Sequence, residues 1–181
     1  LGAMGLCVRA VAEAIEMRPG DVIVTNHPRF GGSHLPDINV ITPVHDDDAR
    51  LVGYVACRAH HAEVGGTRPG SMPPDATTLA EEGVVIMPQR LVDGGVSRFD
   101  AFESFMASQP RPSRALRDNI ADLRAQVAAN HHGAAALLQL ARQMGGDVLA
   151  RRMRVLTDHA EKAARAALAE LADGRRTAAQ R

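Results

Sequence analysis

The chain has 181 residues, which is enough for one domain with a substantial hydrophobic core. Its 21 basic and 21 acidic side chains give a formal net charge of zero, so it lacks the excess positive charge typical of nucleic-acid-binding domains. No stretch approaches the roughly 20 consecutive apolar residues of a membrane-spanning helix. We therefore expect neither a nucleic-acid partner nor a membrane.

The cysteine content indicates a reducing compartment. Cys7 and Cys57 each lie inside an apolar run, and neither has a Cys-x-x-Cys neighbour. Two thiols cannot form a disulfide framework, so buried free thiols and a cytoplasmic location are expected.

The N-terminal third predicts one helix followed by three strands. A helix over residues 1–17 has apolar side chains at steps of three and four residues and stops at Pro19. A short buried strand is predicted over residues 21–25. Two β-rich runs, 38–44 and 51–57, flank an acidic turn and predict an antiparallel hairpin.

The remaining chain changes from loops to helices. Residues 65–75 are too rich in glycine and proline for regular structure, and Thr77 or Thr78 with Glu81 resembles a capped helical turn. A further strand is predicted over residues 84–91, with a turn at residues 93–95. A helical period begins at Phe99 and breaks at Gly145-Gly146, and a second long helix is predicted over residues 148–171.

These elements predict an α+β fold. A short mixed or antiparallel sheet with long loops occupies residues 20–95, and a C-terminal antiparallel αα-hairpin follows. We expect an α/β metal-site region over residues 1–110, a helical hairpin packed on it over residues 111–174, and a disordered tail over residues 175–181.

Four of the eight histidines lie in two glycine-containing segments, at residues 26–37 and 58–66, and each segment also contains one acidic residue. The predicted hairpin brings the end of the first segment and the start of the second to the same edge of the sheet. His34 and Asp37 are therefore a candidate metal pair, although Asp37 could instead cap a turn while His34 forms a local hydrogen bond. His60 and His61 are adjacent and point to opposite sides of an extended chain, so at most one can join that pair.

Two imidazoles and one carboxylate with open positions are typical of a catalytic metal site, whereas a structural zinc site would use more thiolates. His61 and Glu63 are the neighbouring candidates to move protons. The glycine pairs lack the Lys-Ser/Thr sequence of a P-loop and the spacing of a dinucleotide fingerprint, so no nucleotide site is predicted in the chain itself.

Six motifs, taken in order, resemble those of the hydantoinase B/oxoprolinase family. This family includes the B subunit of N-methylhydantoinases, the matching half of 5-oxoprolinase and the α subunit of acetone carboxylase. The motifs are Pro19-Gly-Asp-Val, Thr25-Asn-His-Pro, Gly31-Gly-Ser-His-Leu-Pro-Asp, Arg58-Ala-His-His-Ala-Glu-Val-Gly-Gly, Pro69-Gly-Ser-Met-Pro-Pro and Asp122-Leu-Arg-Ala-Gln-Val-Ala-Ala-Asn.

The resemblance implies a B-type subunit of an ATP-dependent cyclic amidohydrolase, hence a hydrolase acting on the carbon–nitrogen bond of a lactam or hydantoin. A separate A-type subunit or domain would bind ATP and phosphorylate the substrate carbonyl oxygen, so a hetero-oligomer is expected. The B-type unit would carry a divalent metal ion, zinc, manganese or iron. The family's metal ligands fall on His34, Asp37 and His60.

The sequence also departs from the family it resembles. Many relatives have aspartate where this chain has His27 and Glu63. The resemblance implies a further acidic ligand from a stretch preceding the segment that matches Leu1, and family members are several times longer, so we expect an internal fragment. Two alternatives stay open, an acetone-carboxylase-like α subunit and a non-catalytic assembly subunit that docks through the αα-hairpin.

Overall fold

A computed structural model describes residues 2–171 and 174 of the chain. Five strands, five α-helices and a 3-10 helix follow one another in these residues. They are α1 (Met4–Ala14), β1 (Val22–Thr25), the 3-10 helix Pro28–Phe30, β2 (Asp37–His45), β3 (Leu51–His60), α2 (Leu79–Glu82), β4 (Gln89–Asp93), β5 (Val96–Ser97), α3 (Phe99–Ala107), α4 (Leu116–Met144) and α5 (Gly146–Ala169).

The strands form one antiparallel sheet in the order β3-β2-β1-β4-β5. The α+β class is confirmed, with the sheet antiparallel throughout and helices in the C-terminal part. The long strands β2 and β3 lie at one edge, whereas β5 at the other edge has two residues.

The two faces of the sheet bury separate hydrophobic clusters. Because side chains alternate along a strand, Ile41 faces one cluster while Ile38 and Val40 face the other. The Ile41 cluster contains Cys7 and Val11 of α1. The second cluster is larger and includes residues of α3 and α4, among them Phe102, Met106, Ile120, Leu123 and Val127. The sheet thus has an α1 face and an α4 face.

The predicted β2–β3 hairpin is confirmed, and both strands are longer than expected. The turn is closed by the side chain of Asp46, which accepts hydrogen bonds from the backbone N–H groups of Asp48 and Arg50 at 3.0 and 2.8 Å. At the other end the ladder continues to Asp37 and His60. Asp37 and His60, one from each candidate site segment, are therefore residues of the sheet itself.

The strand predicted over residues 84–91 is displaced, because β4 begins only at Gln89. The segment before β4 is held by a side chain. Asn26 donates to the carbonyls of Leu35 and Val84, both at 2.9 Å, and accepts from the N–H of Ile86 at 2.7 Å. A side-chain amide thus replaces part of a β ladder, and Pro88 supplies no N–H to extend one.

The continuous helical period expected from Phe99 is also interrupted. Helix α3 ends at Ala107 and α4 starts at Leu116, and the intervening residues include Pro110 and Pro112. The predicted capped turn at residues 77–82 is confirmed as α2, in which Thr78 and Glu81 form a capping box.

The chain divides into two compact units, residues 1–139 and 140–181. The first contains the sheet, its two hydrophobic clusters and most of α4. The second contains α5, whose side chains from Arg151 to Ala169 are exposed. The domain boundaries expected from sequence and the packing of a helical hairpin on the α/β region stay predictions, and the tail expected at residues 175–181 lies outside the described residues.

Both cysteines are free thiols, Cys7 buried and Cys57 half-buried. Within residues 2–171, no helix combines the length and apolar character needed to cross a membrane. The expected cytoplasmic location stays a prediction.

Replacing Asn26 with alanine should destabilise the fold by about 2–4 kcal/mol, because two buried carbonyls and one buried N–H lose their partner together. Chemical denaturation of the full-length protein measures this loss. Gln143→Ala is the matched control, since Gln143 is exposed on α4. Equal stability of the two variants would show that Asn26 does not hold the segment before β4.

Candidate metal centre

The hairpin register places a carboxylate and an imidazole side by side. Asp37 is the first residue of β2 and His60 is the last residue of β3, and their Cα atoms are directly paired. Directly opposite residues of an antiparallel pair project to the same face, with Cβ atoms about 5 Å apart. For Asp37 and His60 this is the α1 face, since Ile41 of β2 faces α1.

His34 reaches the same place from the loop before β2. The backbone carbonyl of His34 accepts a hydrogen bond from the N–H of Asp37 at 3.0 Å, which closes a tight turn. The two preceding glycines allow the loop to approach its neighbours. Gly31 has φ 79°, and a Cβ at Gly32 would lie 2.5 Å from the carbonyl oxygen of Asn26.

The imidazole of His34 lies between the other two side chains. Its Nε2 is 3.0 Å from Nε2 of His60, and its Nδ1 is 3.3 Å from Oδ2 of Asp37. One nitrogen or oxygen atom from each residue lies within 4.8 Å of the others. The side chains of His34 and Asp37 are 17% and 18% exposed, and His60 is exposed, so the cluster is accessible from solvent.

Ser33 is a member of this cluster that sequence reasoning missed. Its hydroxyl donates a short hydrogen bond to Oδ2 of Asp37. Such a bond fixes the orientation of a carboxylate that could serve as a metal ligand. Its position in the Gly-Gly-Ser-His motif was the available signal, but a serine hydroxyl alone does not indicate which carboxylate it contacts.

His61 lies on the opposite side of the sheet from His60. Its side chain is fully buried, and its two ring nitrogens each lie 3.2 Å from an amide oxygen, of Asn119 and of Gln126. The amide groups are oriented by their own donations, from Asn119 to the carbonyl of Glu63 and from Gln126 to the carbonyl of Ile38. His61 therefore binds α4 and does not join His34 and Asp37.

Glu63 is bound at the N-terminal end of α4. Its carboxylate accepts hydrogen bonds from the N–H groups of Gly65, Arg114 and Ala115 at 2.8, 2.7 and 2.9 Å, and a short one from the hydroxyl of Ser113. Burial alone would raise the pKa of Glu63, but these hydrogen bonds outweigh it and hold the pKa below its ordinary value. These contacts favour a structural role, and a part for Glu63 or His61 in proton transfer stays a prediction.

The other histidines lie outside the cluster. His27 caps the 3-10 helix, where its Nδ1 accepts a hydrogen bond from the N–H of Arg29 at 3.0 Å. An aspartate at this position could accept the same bond. His131, His132 and His159 are exposed on helices.

Comparison with known proteins shows which family the chain belongs to. The sequence model of the hydantoinase B/oxoprolinase family matches residues 1–181. The chain belongs to the hydantoinase B/oxoprolinase family. It is 38% identical over 181 residues to the 5-oxoprolinase of Saccharomyces cerevisiae, a match that covers 96% of this chain and 14% of the yeast protein.

Two solved structures of longer proteins contain the same fold. The ATP-dependent caprolactamase of Pseudomonas jessenii matches with a TM-score of 0.79 and 30% identity, over 96% of this chain and 30% of that one. A nucleotide-free acetone carboxylase matches with a TM-score of 0.66 and 22% identity, over 80% of this chain and 19% of its own. The chain thus spans less than a third of each of these relatives.

Glu63→Gln should lower the free energy of unfolding by an amount that depends on pH. Because the folded pKa of Glu63 lies below its unfolded value, its contribution is present above the unfolded pKa of about 4.3 and is lost as the pH falls through the folded pKa. We expect the variant to lose about 2 kcal/mol at pH 7 and less at pH 3. Unfolding free energies measured from pH 3 to pH 7 test this.

The control for Glu63→Gln is Glu13→Gln, because Glu13 is exposed on α1. A stability loss that is equal at pH 3 and pH 7 would contradict the ionised state assigned to Glu63.

Proposed function

We propose that this chain is the metal-binding part of a B-type subunit or domain in an ATP-dependent cyclic amidohydrolase, with His34, Asp37 and His60 as ligands of a divalent metal ion. The observation that carries the proposal is the convergence of these three side chains at the open end of the β2–β3 hairpin. Membership of the hydantoinase B/oxoprolinase family supports the reaction class.

The donor set suits a catalytic divalent ion. Two imidazoles and one carboxylate bind zinc, manganese or iron, and three protein ligands leave positions for water or substrate. The accessibility of the cluster supports such a role, since His60 is exposed. A structural zinc site would use thiolates, but both cysteines of the chain lie in the hydrophobic clusters.

A metal ion at this position would polarise a carbonyl or lower the pKa of a bound water. The chain's own residues hold the ligands in place. Ser33 orients the carboxylate of Asp37, and Asp37 lies beside Nδ1 of His34 and restrains the rotation of that ring. The backbone pairing of β2 with β3 fixes the spacing of Asp37 and His60.

ATP would bind to an A-type partner subunit or domain. The 181 residues contain neither a P-loop nor a dinucleotide fingerprint, and the caprolactamase with the same fold is described as ATP-dependent. Phosphorylation of the substrate carbonyl oxygen on the A-type partner would precede hydrolysis of a lactam or hydantoin ring at the B-type site. The assembly would then be a hetero-oligomer or a fusion of the two parts.

Two alternative functions can be distinguished from the proposed one by experiment. An acetone-carboxylase-like α subunit is a second candidate, although the acetone carboxylase likeness, at 22% identity, concerns the fold alone. A non-catalytic assembly subunit is the third, and it would need no metal at the cluster.

His34→Ala should reduce the metal content of the full-length protein from about one ion per chain to well below one, because it removes the ring between Asp37 and His60. Elemental analysis after dialysis against trace metal measures this. His159→Ala is the control, since His159 is exposed on α5. Unchanged metal content in His34→Ala would refute the ligand assignment.

The reaction class is tested with the full-length protein and its A-type partner. We expect ATP-dependent opening of a hydantoin or of 5-oxoproline, with activity at least 100-fold lower in His34→Ala at equal A-type activity. Chromatographic detection of the ring-opened product and of ADP measures the coupling. Bicarbonate-dependent turnover of a ketone, without ring opening, would favour the carboxylase candidate instead.

A further inference from the structure

Arg58 lies next to the candidate metal centre on the same face of the sheet. It precedes His60 by two residues on β3, and its Cα partner on β2 is Asn39, two residues after Asp37. Since residues two apart on a strand share a face, Arg58 and Asn39 form the row beside Asp37 and His60.

The guanidinium of Arg58 connects the sheet to the loop that carries His34. Its Nε donates to Oδ1 of Asn39 at 2.7 Å, and its Nη2 donates to the backbone carbonyl of Gly31 at 2.8 Å. Asn39 is fully buried and is held in turn, because its amide donates to the carbonyl of Thr25 at 3.3 Å. The side chain of Arg58 therefore joins β3 to β2 and to the loop.

The other side of the loop is closed by α1. A Cβ at Gly31 would lie 2.8 Å from Cα of Cys7, so the loop and the helix are in direct contact. Burial raises the pKa of the Cys7 thiol, and the nearby Arg58 guanidinium opposes this only in part. The loop thus lies between α1, which it contacts at Cys7, and Arg58, which donates a hydrogen bond to the carbonyl of Gly31.

We propose that Arg58 is the positioning residue of the metal centre, which fixes the loop of residues 31–34 so that the His34 ring meets Asp37 and His60. The expected effect of Arg58 on metal binding rests on the proposed function. The restraint of the loop by Arg58 rests only on the hydrogen bonds described above. Lysine can replace Arg58 only in part, because a single ammonium group lacks the rigid fork that reaches Asn39 and Gly31 together.

The test compares Arg58→Met and Arg58→Lys with a control, Arg68→Met, in the full-length protein. Methionine keeps much of the apolar stem of Arg58 without its donors. Arg68 is 61% exposed and, in the part of the chain that the structure describes, pairs with the exposed Asp75, so its loss should matter little. Hydrogen exchange of residues 31–37 in metal-free protein reports the loop, and cobalt titration followed by visible absorption reports the metal centre.

We expect Arg58→Met to speed exchange across residues 31–37 at least 10-fold, with exchange in β1 unchanged. Cobalt affinity should fall about 10- to 100-fold, as for other groups that orient metal ligands, while the binding stoichiometry at saturation stays near that of the unaltered protein. Arg58→Lys should show the same changes, smaller in size, and Arg68→Met neither.

Unchanged exchange of residues 31–37 in Arg58→Met would overturn the inference whatever the metal result. Faster exchange with unaltered cobalt affinity, in a protein that loses cobalt on His34→Ala, would overturn the positioning role while the proposed function stands. Faster exchange in a protein whose cobalt binding is insensitive to His34→Ala would support the hold on the loop and refute the metal role of the cluster.

Discussion

The antiparallel register of β2 and β3 is the constraint on which the candidate site depends. Because side chains alternate along a strand, a slip of one residue would move His60 to the α4 face and bring His61 or Ala59 opposite Asp37. The register is fixed on both sides of β2, which pairs with β1 as well as β3. The short turn at Asp46 fixes it from the other end.

Helix α4 secures the chain where it leaves β3. Its buried amides all contact backbone groups near β2 or β3. Asn119 donates to the carbonyl of Glu63, Gln126 to that of Ile38, and Asn130 to that of Val40 at 3.0 Å. An aliphatic core packs without strong directional preference, so these hydrogen bonds determine where α4 lies along the sheet. The positions of His61 and Glu63 follow from this.

The sequence predicts those parts of the molecule that have a local cause. A short apolar run predicts β1, two β-rich runs around a turn predict β2 and β3, and a capping box predicts α2, because each signal lies within a few residues of the element. The displaced start of β4 could not be predicted in this way, because Asn26, more than 50 residues earlier, holds the preceding segment.

The candidate site likewise combines local and long-range causes. The convergence of Asp37 and His60 follows from hairpin geometry, and alternation predicts that the neighbouring residue His61 lies on the other face. The binding of Glu63 at α4 depends on tertiary packing, since its donors lie 50 residues later. Strand alternation could also have placed Arg58 beside His60, but its contact with Gly31 depends on a loop whose path no periodicity predicts.

The contrast between His60 and His61 explains how one motif can serve two purposes. His60 is exposed, and its Nε2 lies 3.0 Å from Nε2 of His34, so the two rings could bind one ligand together. His61 is fully buried, and both its nitrogens face amide oxygens. A substitution at His61 would therefore act on the docking of α4 before it acted on any ligand at His34. In this fold the second histidine of the pair stabilises the strand end from which the first reaches the candidate metal centre.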